Sequence, residues 1–209
     1  MEEENSEDAS YKIPVHVSLN ELVNKDKEDE SLNLYKKKLL GENYDCPPVR
    51  PNDQRICIPV SLKIIVPFDN AKYKEGKDYR SIRDIEHKVH YELTLDQPDT
   101  TEIVNDKVVE MKEGTFYCTE LSFYVQREIV HGLQCKTHFY RKGIKVPGES
   151  VSSVMGSYGP KPDLQVFTSK TTMIPNGWLC HGKYKVINKI IDDDNNNILT
   201  IKWYIDVKK

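Results

Sequence analysis

The sequence predicts an all-β protein, an antiparallel β-sandwich behind a helical N-terminal arm. Three observations lead there. From Ile56 onward, apolar residues recur at every second position in several stretches, which is the period of a half-buried strand. Those stretches are short and are joined by clusters of Gly, Pro, Asn and Asp, with no long helical pattern between them. The first forty or so residues lack that period and carry helix start and stop signals instead.

Residues 1–17 open with MEEENSEDAS, where Glu2, Glu3, Glu4, Glu7 and Asp8 come without a Lys or Arg. Such a block repels itself, so an acidic disordered tail is expected, one that would attract a basic partner segment. Residues 18–41 form the arm. Ser18-Leu19-Asn20-Glu21 fits the S-x-x-E capping box, with Leu19, Leu22 and Val23 on one helical face. A second helix is predicted from Asp29, whose carboxylate can cap free N–H groups. Its stripe is Leu32, Tyr35 and Leu39, Lys36 to Lys38 suit its negative end, and Gly41 stops it. Each helix is shorter than the roughly 12–15 residues at which isolated helices become marginal. Both therefore need a surface, either the chain's own domain or a partner's. Residues 42–55 hold Pro47, Pro48 and Pro51 and read as a linker.

Residues 56–209 form the sandwich. Tyr117, Thr119, Leu121, Phe123 and Val125 share one face, as do Leu199, Ile201, Trp203, Ile205 and Val207, and in a third stretch Tyr184, Val186 and Ile190. Further strands are expected at 56–66, 88–95, 103–111, 133–141 and 163–168. Asp192 to Asn197 is a hairpin connection, because Asp and Asn tolerate left-handed backbone and bond to their own turn. Gly156 to Pro160 reads as a turn between strands. The Lys- and Asp-rich stretch 69–87 reads as a long, mobile, exposed loop.

Composition narrows the function. A net charge of −3 and a pI near 6.1 argue against a nucleic-acid partner, which calls for a high pI. No apolar run reaches the roughly 18 residues of a membrane span, and the acidic start is unlike a secretory signal, so a cytoplasmic protein is expected. Five cysteines without a CxxC suit reduced thiols in the core. Cys135-x-x-His138 on a strand points its side chains to opposite faces, and His87-x-x-His90 has no further ligand at a metal spacing. Gly156-Ser157-Tyr158-Gly159 is not a nucleophile elbow, and no phosphate-cradling glycine loop occurs. Asp192 to Asp194 lacks the alternating ligands of a calcium loop. A sandwich without catalytic residues, metal or cofactor reads as a binding module, with concave apolar surface as its site.

Several segments match a known family in order and approximate spacing. They are Asp26 to Leu32, Tyr35-Lys36, Leu39-Leu40-Gly41, Arg127 to Val130, His138-x-Tyr140-Arg141-Lys142-Gly143, Met155 to Pro160 and Asp192 to Asp194. Over residues 11–209 the chain resembles the Rho GDP-dissociation inhibitors. That resemblance implies an immunoglobulin-like sandwich behind a flexible two-helix arm, and a monomer that pairs 1:1 with a prenylated Rho-family GTPase, Rho- or Rac-like, preferring its GDP-bound form. The arm would slow GDP release by lying on the switch regions, and the sandwich would sheathe the geranylgeranyl group during extraction from membranes. The resemblance places Asp29, Ser31 and Tyr35 on the switches, with Asp193 and Asp194 as a second polar contact. It places Val109, Tyr117, Leu121, Val125, Ile129, Leu179, Val186 and Trp203 along or beside the lipid slot. Two departures stand out: Ile201 precedes Trp203 where the family often has paired tryptophans, and Lys183 replaces a serine found in some members, while Ser18 is kept. The alternative is a general carrier of lipidated proteins that does not act on switches, a class that lacks the arm.

Overall fold

The computed structural model describes residues 21, 28–40, 46–70, 86–95, 97, 100–147 and 150–209. The acidic tail, the first expected helix apart from Glu21, residues 41–45, and residues 71–85 of the expected loop lie outside the described residues. Helix α1 (Glu30–Leu40) is followed by β1 (Cys57–Pro67), β2 (His87–Thr94), β3 (Glu102–Lys112), β4 (Phe116–Val125), β5 (Val130–Arg141) and β6 (Ile144–Lys145). Then come β7 (Val151–Tyr158), β8 (Gln165–Thr168), β9 (Thr172–Met173), a 3-10 turn at Trp178–Cys180, β10 (Gly182–Ile191) and β11 (Asn197–Lys208).

The strands form two stacked sheets. One runs β2-β1-β4-β8 with β9 also on β4; the other runs β3-β11-β10-β5-β6 with β7 also on β5. The alternation in the sequence decides what lies between them. Leu199, Ile201, Trp203, Ile205 and Val207 all face inward from β11, against Tyr117, Leu121, Phe123 and Val125 of β4. Phe123 meets Tyr158 edge to face, with ring centres 5.0 Å apart, the arrangement that aromatic quadrupoles favour. All five cysteines are free, and burial pushes the thiols of Cys57 and Cys118 up to about 12, keeping them protonated.

Two sequence expectations are corrected. The sandwich is not wholly antiparallel, because β3 pairs with β11 in parallel, from Glu102 opposite Thr200 to Lys112 opposite Lys208. After β2 the chain crosses to the other sheet instead of turning back on its own, so no hairpin enforces reversal. The 156–160 stretch is also not simply a turn: Gly156, Ser157 and Tyr158 complete β7 on β5, where the register is irregular. Gly156 there takes φ 104, a bulge conformation that glycine adopts without strain. Its glycines carry the same signal in sequence as a turn. The expected 192–197 hairpin connection is present, since Asp192 accepts the Asn196 N–H at 2.7 Å and Asn195 sits at φ 63.

Strand register divides the sandwich into two ends. At one lie Gly182, Val207 and Met111; at the other lie Ile191, Asn197 and Gln134. The second end is where the arm joins. There Gln126, 1% exposed, donates to the Asp53 and Arg55 carbonyls at 2.7 and 2.8 Å and accepts the Arg50 N–H at 3.0 Å. Asp53 pairs with Arg55 at 2.6 Å. Those hydrogen bonds hold the Asp53 carboxyl below its usual range. Residues 50–55 are thus held against the end of β4.

Candidate functional site

At the first end the sheets leave an apolar cleft of about 80 Å³ between them. Tyr117 of β4 and Met173, Ile174 and Pro175 after it form one wall, while Phe139, Tyr184, Ile205 and Val207 form the other, with Val146 and Cys180 at the rim. Period two explains the second wall: Phe139, Tyr184, Ile205 and Val207 are inward positions on three neighbouring strands. Deeper in, a smaller polar cleft follows, lined by Thr119, Thr137, Ser153, Ser169, Asn188 and Trp203 among others. Here Trp203 donates its indole N–H to Asn188 at 2.7 Å, and the Asn188 amide donates to Thr137 at 2.8 Å. Both Trp203 and Asn188 are 2% exposed, so this chain satisfies polar atoms that water cannot reach.

The rim is built from the 177–181 segment. Glu113 accepts the Gly177 N–H at 2.7 Å and faces the His181 ring at 3.0 Å, contacts that lower its carboxyl below the usual range. Arg141 donates to the carbonyls of Leu179 and His181 and lies over the Tyr184 ring at 5.5 Å. Held this way, the segment projects Trp178, 79% exposed, and Leu179, 63% exposed, into solvent beside the cleft.

At the opposite end stands α1. Asp29 caps it as its sequence predicts, accepting the N–H groups of Ser31 and Leu32 at 2.9 and 3.0 Å. The helix meets the sandwich through its last turn: Leu40 is buried, and Gly159 lies so close that a Cβ there would be 2.5 Å from the Leu39 carbonyl oxygen. Of its stripe, Leu32 and Tyr35 are exposed and Leu39 is half-buried, and Leu34 beside it is exposed too. A groove of about 380 Å³ remains between Tyr35, Lys38 and Leu39 and the β7–β8 connection.

Of the residues assigned from the sequence to a lipid slot, Tyr117 lines the apolar cleft and Trp203 the polar one. Val109, Leu121, Val125 and Val186 belong to the packed core between the same sheets. Ile129 is half-buried in the β4–β5 connection, and Leu179 stands at the rim. Asp29 caps α1 and Ser31 and Tyr35 lie in its first two turns, while Asp193 and Asp194 occupy the β10–β11 turn at the same end of the sandwich. Sequence reading missed most of the cleft. Ile205 and Val207 were legible as inward positions of β11, but Ile174, Pro175 and Cys180 lie in irregular chain where periodicity carries no signal.

Comparison with known proteins fixes the family. A family model described as RHO protein GDP dissociation inhibitor matches residues 1–75 and 81–209. The chain belongs to the Rho GDP-dissociation inhibitor family. It is 37% identical over 207 residues to the probable rho GDP-dissociation inhibitor of Caenorhabditis elegans, covering 99% of this chain and 95% of that one. It is 30% identical over 208 residues to Rho GDP-dissociation inhibitor 1 of Homo sapiens, covering 99% and 89%. With the Rho GDP-dissociation inhibitor of Saccharomyces cerevisiae it shares 29% identity over 213 residues, covering 100% and 94%. The Rho GDP-dissociation inhibitor family is one of regulatory inhibitors. Among the described residues no helix is long and apolar enough to cross a membrane.

Proposed function

We propose that this Rho GDP-dissociation inhibitor holds a geranylgeranylated Rho-family GTPase in a 1:1 complex in the cytosol, preferring the GDP-bound form. Asp29, Ser31 and Tyr35 lie on the switch regions, Asp193 and Asp194 touch the GTPase body, and the isoprenoid enters the apolar cleft beneath Trp178 and Leu179. The observation that carries this reading is the pairing of an inter-sheet apolar cleft with a capped helix whose Leu32, Leu34 and Tyr35 face solvent. A general lipid carrier has use for the cleft but none for the helix.

The energetics suit extraction only if both parts act. Burying hydrocarbon contributes about 0.8 kcal/mol per CH₂, so twenty carbons supply on the order of 10 kcal/mol before losses. A bilayer offers the same, so the cleft alone gives little net extraction, and the helix contacts tip the balance. The cleft also has to widen. Its roughly 80 Å³ is about half the 150 Å³ in which an apolar cavity holds one benzene. Parting the β9–β10 segment from β5 and β11 supplies the room. The switches must move for nucleotide to leave, and a helix laid across them restrains that motion.

The two contacts lie at opposite ends of β10. At about 3.3 Å per residue, its 10 residues put roughly 30 Å between them. A GTPase body resting on α1 and the β10–β11 turn therefore reaches the cleft only through an extended segment of about nine or ten residues. The test is GDP release and vesicle extraction measured with geranylgeranylated and unmodified Rho-type GTPase. Slowed release and transfer to the soluble fraction for the lipidated form support the reading. Equal action on both forms refutes the role of the cleft.

A further inference from the structure

Charge is unevenly divided in this chain. Its net charge is −3. Yet β5, β6, β7 and β10 contain Lys136, Arg141, Lys145, Lys183, Lys185 and Lys189 and not one Asp or Glu. Phe139 and Val186 point into the core, so the alternate positions Lys136, His138 and Tyr140 of β5 and Lys185, Ile187 and Lys189 of β10 form the outer face. Register brings these cations together: Lys136 stands directly opposite Lys189, and Lys145 and Lys185 flank Tyr140 on either side.

Like charges directly opposed on a sheet are destabilising. Nothing in the fold requires a lysine at either position, since both side chains face outward. Of the carboxylates on β3 and β11 of this sheet, Glu102 and Asp206 are engaged by Lys202 and Lys208; Asp206 also stands opposite Lys183 and Glu110 lies beyond it, so the uncompensated cations are Lys136, Lys145, Lys185 and Lys189. His138, lying among the cations, is held below its usual value first by burial and then by Lys145, Lys136 and Lys189. The face therefore stores electrostatic repulsion that an anionic partner would relieve.

The apolar features at its edge say what kind of partner. Ile144 of β6 is 74% exposed, and beyond it stand Trp178 and Leu179 at the cleft rim, bound to the same sheet through Arg141. Val154 of β7, 75% exposed, lies on the outer face opposite Gln134, at the far end of β5 from Ile144. Bulky aliphatic and indole groups beside rows of lysine suit a bilayer interface, where tryptophan settles at headgroup depth and lysine meets anionic lipid. A phosphodiester backbone offers such aliphatic groups nothing.

We propose that the outer face of the β7-β5-β10 layer, with Ile144, Trp178 and Leu179 at its edge, docks this protein on an anionic lipid bilayer with the cleft mouth toward the headgroups. An isoprenoid leaving the membrane then passes into the cleft without crossing water. The inference extends the membrane step of the proposed function but involves neither GTPase nor isoprenoid, so a test on the chain alone separates the two.

The test is flotation of the full chain with vesicles of phosphatidylcholine alone and of phosphatidylcholine with phosphatidylserine. Binding is expected only to the second, weakening as salt is raised. Of the two tryptophans, Trp203 is already buried. A blue shift on binding is therefore expected from Trp178 and is lost in Trp178→Phe. Lys136→Gln with Lys189→Gln should lower affinity about 25-fold, taking roughly fivefold for each lysine near an anionic surface. Trp178→Phe should keep the wild-type melting temperature because the side chain is exposed, and the double lysine variant should melt at or slightly above it because it removes a repulsion. Lys88→Gln, on β2 of the other sheet, should bind as wild type. Equal recovery with both vesicle types, or with neither, overturns the proposal. So does an equal effect of Lys88→Gln, and so does tighter binding to an RNA duplex than to the anionic vesicles.

Discussion

Trp203→Phe removes one hydrogen bond from the base of the inter-sheet space and leaves most of the ring in place. In the native protein the indole N–H meets the Asn188 amide oxygen at 2.7 Å, and both residues are 2% exposed. Phenylalanine leaves that oxygen without a donor where water has no access. An orphaned buried acceptor costs about 1–3 kcal/mol, and the smaller ring adds a share for lost packing. A loss of about 2 kcal/mol corresponds to a fall of roughly 4–8 °C in melting temperature for a domain of this size. Asn188→Val strands the indole N–H instead and should cost about as much. Because each single change orphans what the other removes, the double variant should be less destabilised than the sum by about 1 kcal/mol or more. Urea unfolding followed by circular dichroism gives all three values. If Trp203→Phe stays within about 0.5 kcal/mol of wild type, or the double variant is additive, the bridge does not stabilise the core in the way described.

Asp29→Ala deletes the cap that binds the Ser31 and Leu32 N–H groups. It should cost the helix about 0.5–2 kcal/mol and weaken inhibition of GDP release more than isoprenoid binding; equal losses in the two assays contradict the division of labour. Gly159→Ala places a Cβ 2.5 Å from the Leu39 carbonyl oxygen, so it should displace the last turn of α1, seen as faster amide exchange over 36–40, while cleft binding stays unchanged. The Asp53–Arg55 pair makes stability depend on pH. With its folded pKa lowered from 3.8, Asp53 contributes stability that is present above that value and is lost as pH falls through the lowered one. Asp53→Asn should therefore be less stable than wild type at neutral pH and converge with it in strong acid, as thermal melts across that range will show.

The sandwich was legible because several strands alternate: β4, β10 and β11 announce themselves in this way, and the Asp192–Asn197 turn by its chemistry, whereas β1 is buried on both faces. The cap of α1 was equally plain, since Asp29 is a local signal that needs no tertiary contact. The parallel β3–β11 pair was not, because period two says which face is buried and nothing about strand direction. The cleft was half-legible. Tyr117 and Trp203 sit on periodic strands, whereas Ile174, Pro175 and Cys180 are brought to its rim by chain held through Glu113 and Arg141, contacts between residues far apart in sequence. The arm stripe is apolar in sequence, yet Leu32 and Tyr35 face solvent while Leu40 is buried on the sandwich, because periodicity shows that a face is apolar and not what covers it.

Under the proposed function, the inter-sheet cleft takes up an isoprenoid by opening along its length. The direct measurement is the affinity of the full chain for peptides carrying one to four isoprene units on a C-terminal cysteine. At about 0.8 kcal/mol per buried carbon, each added five-carbon unit should tighten binding by up to roughly 4 kcal/mol until the cleft is filled, with geranylgeranyl the tightest. Affinity that stops rising after the first unit would contradict it.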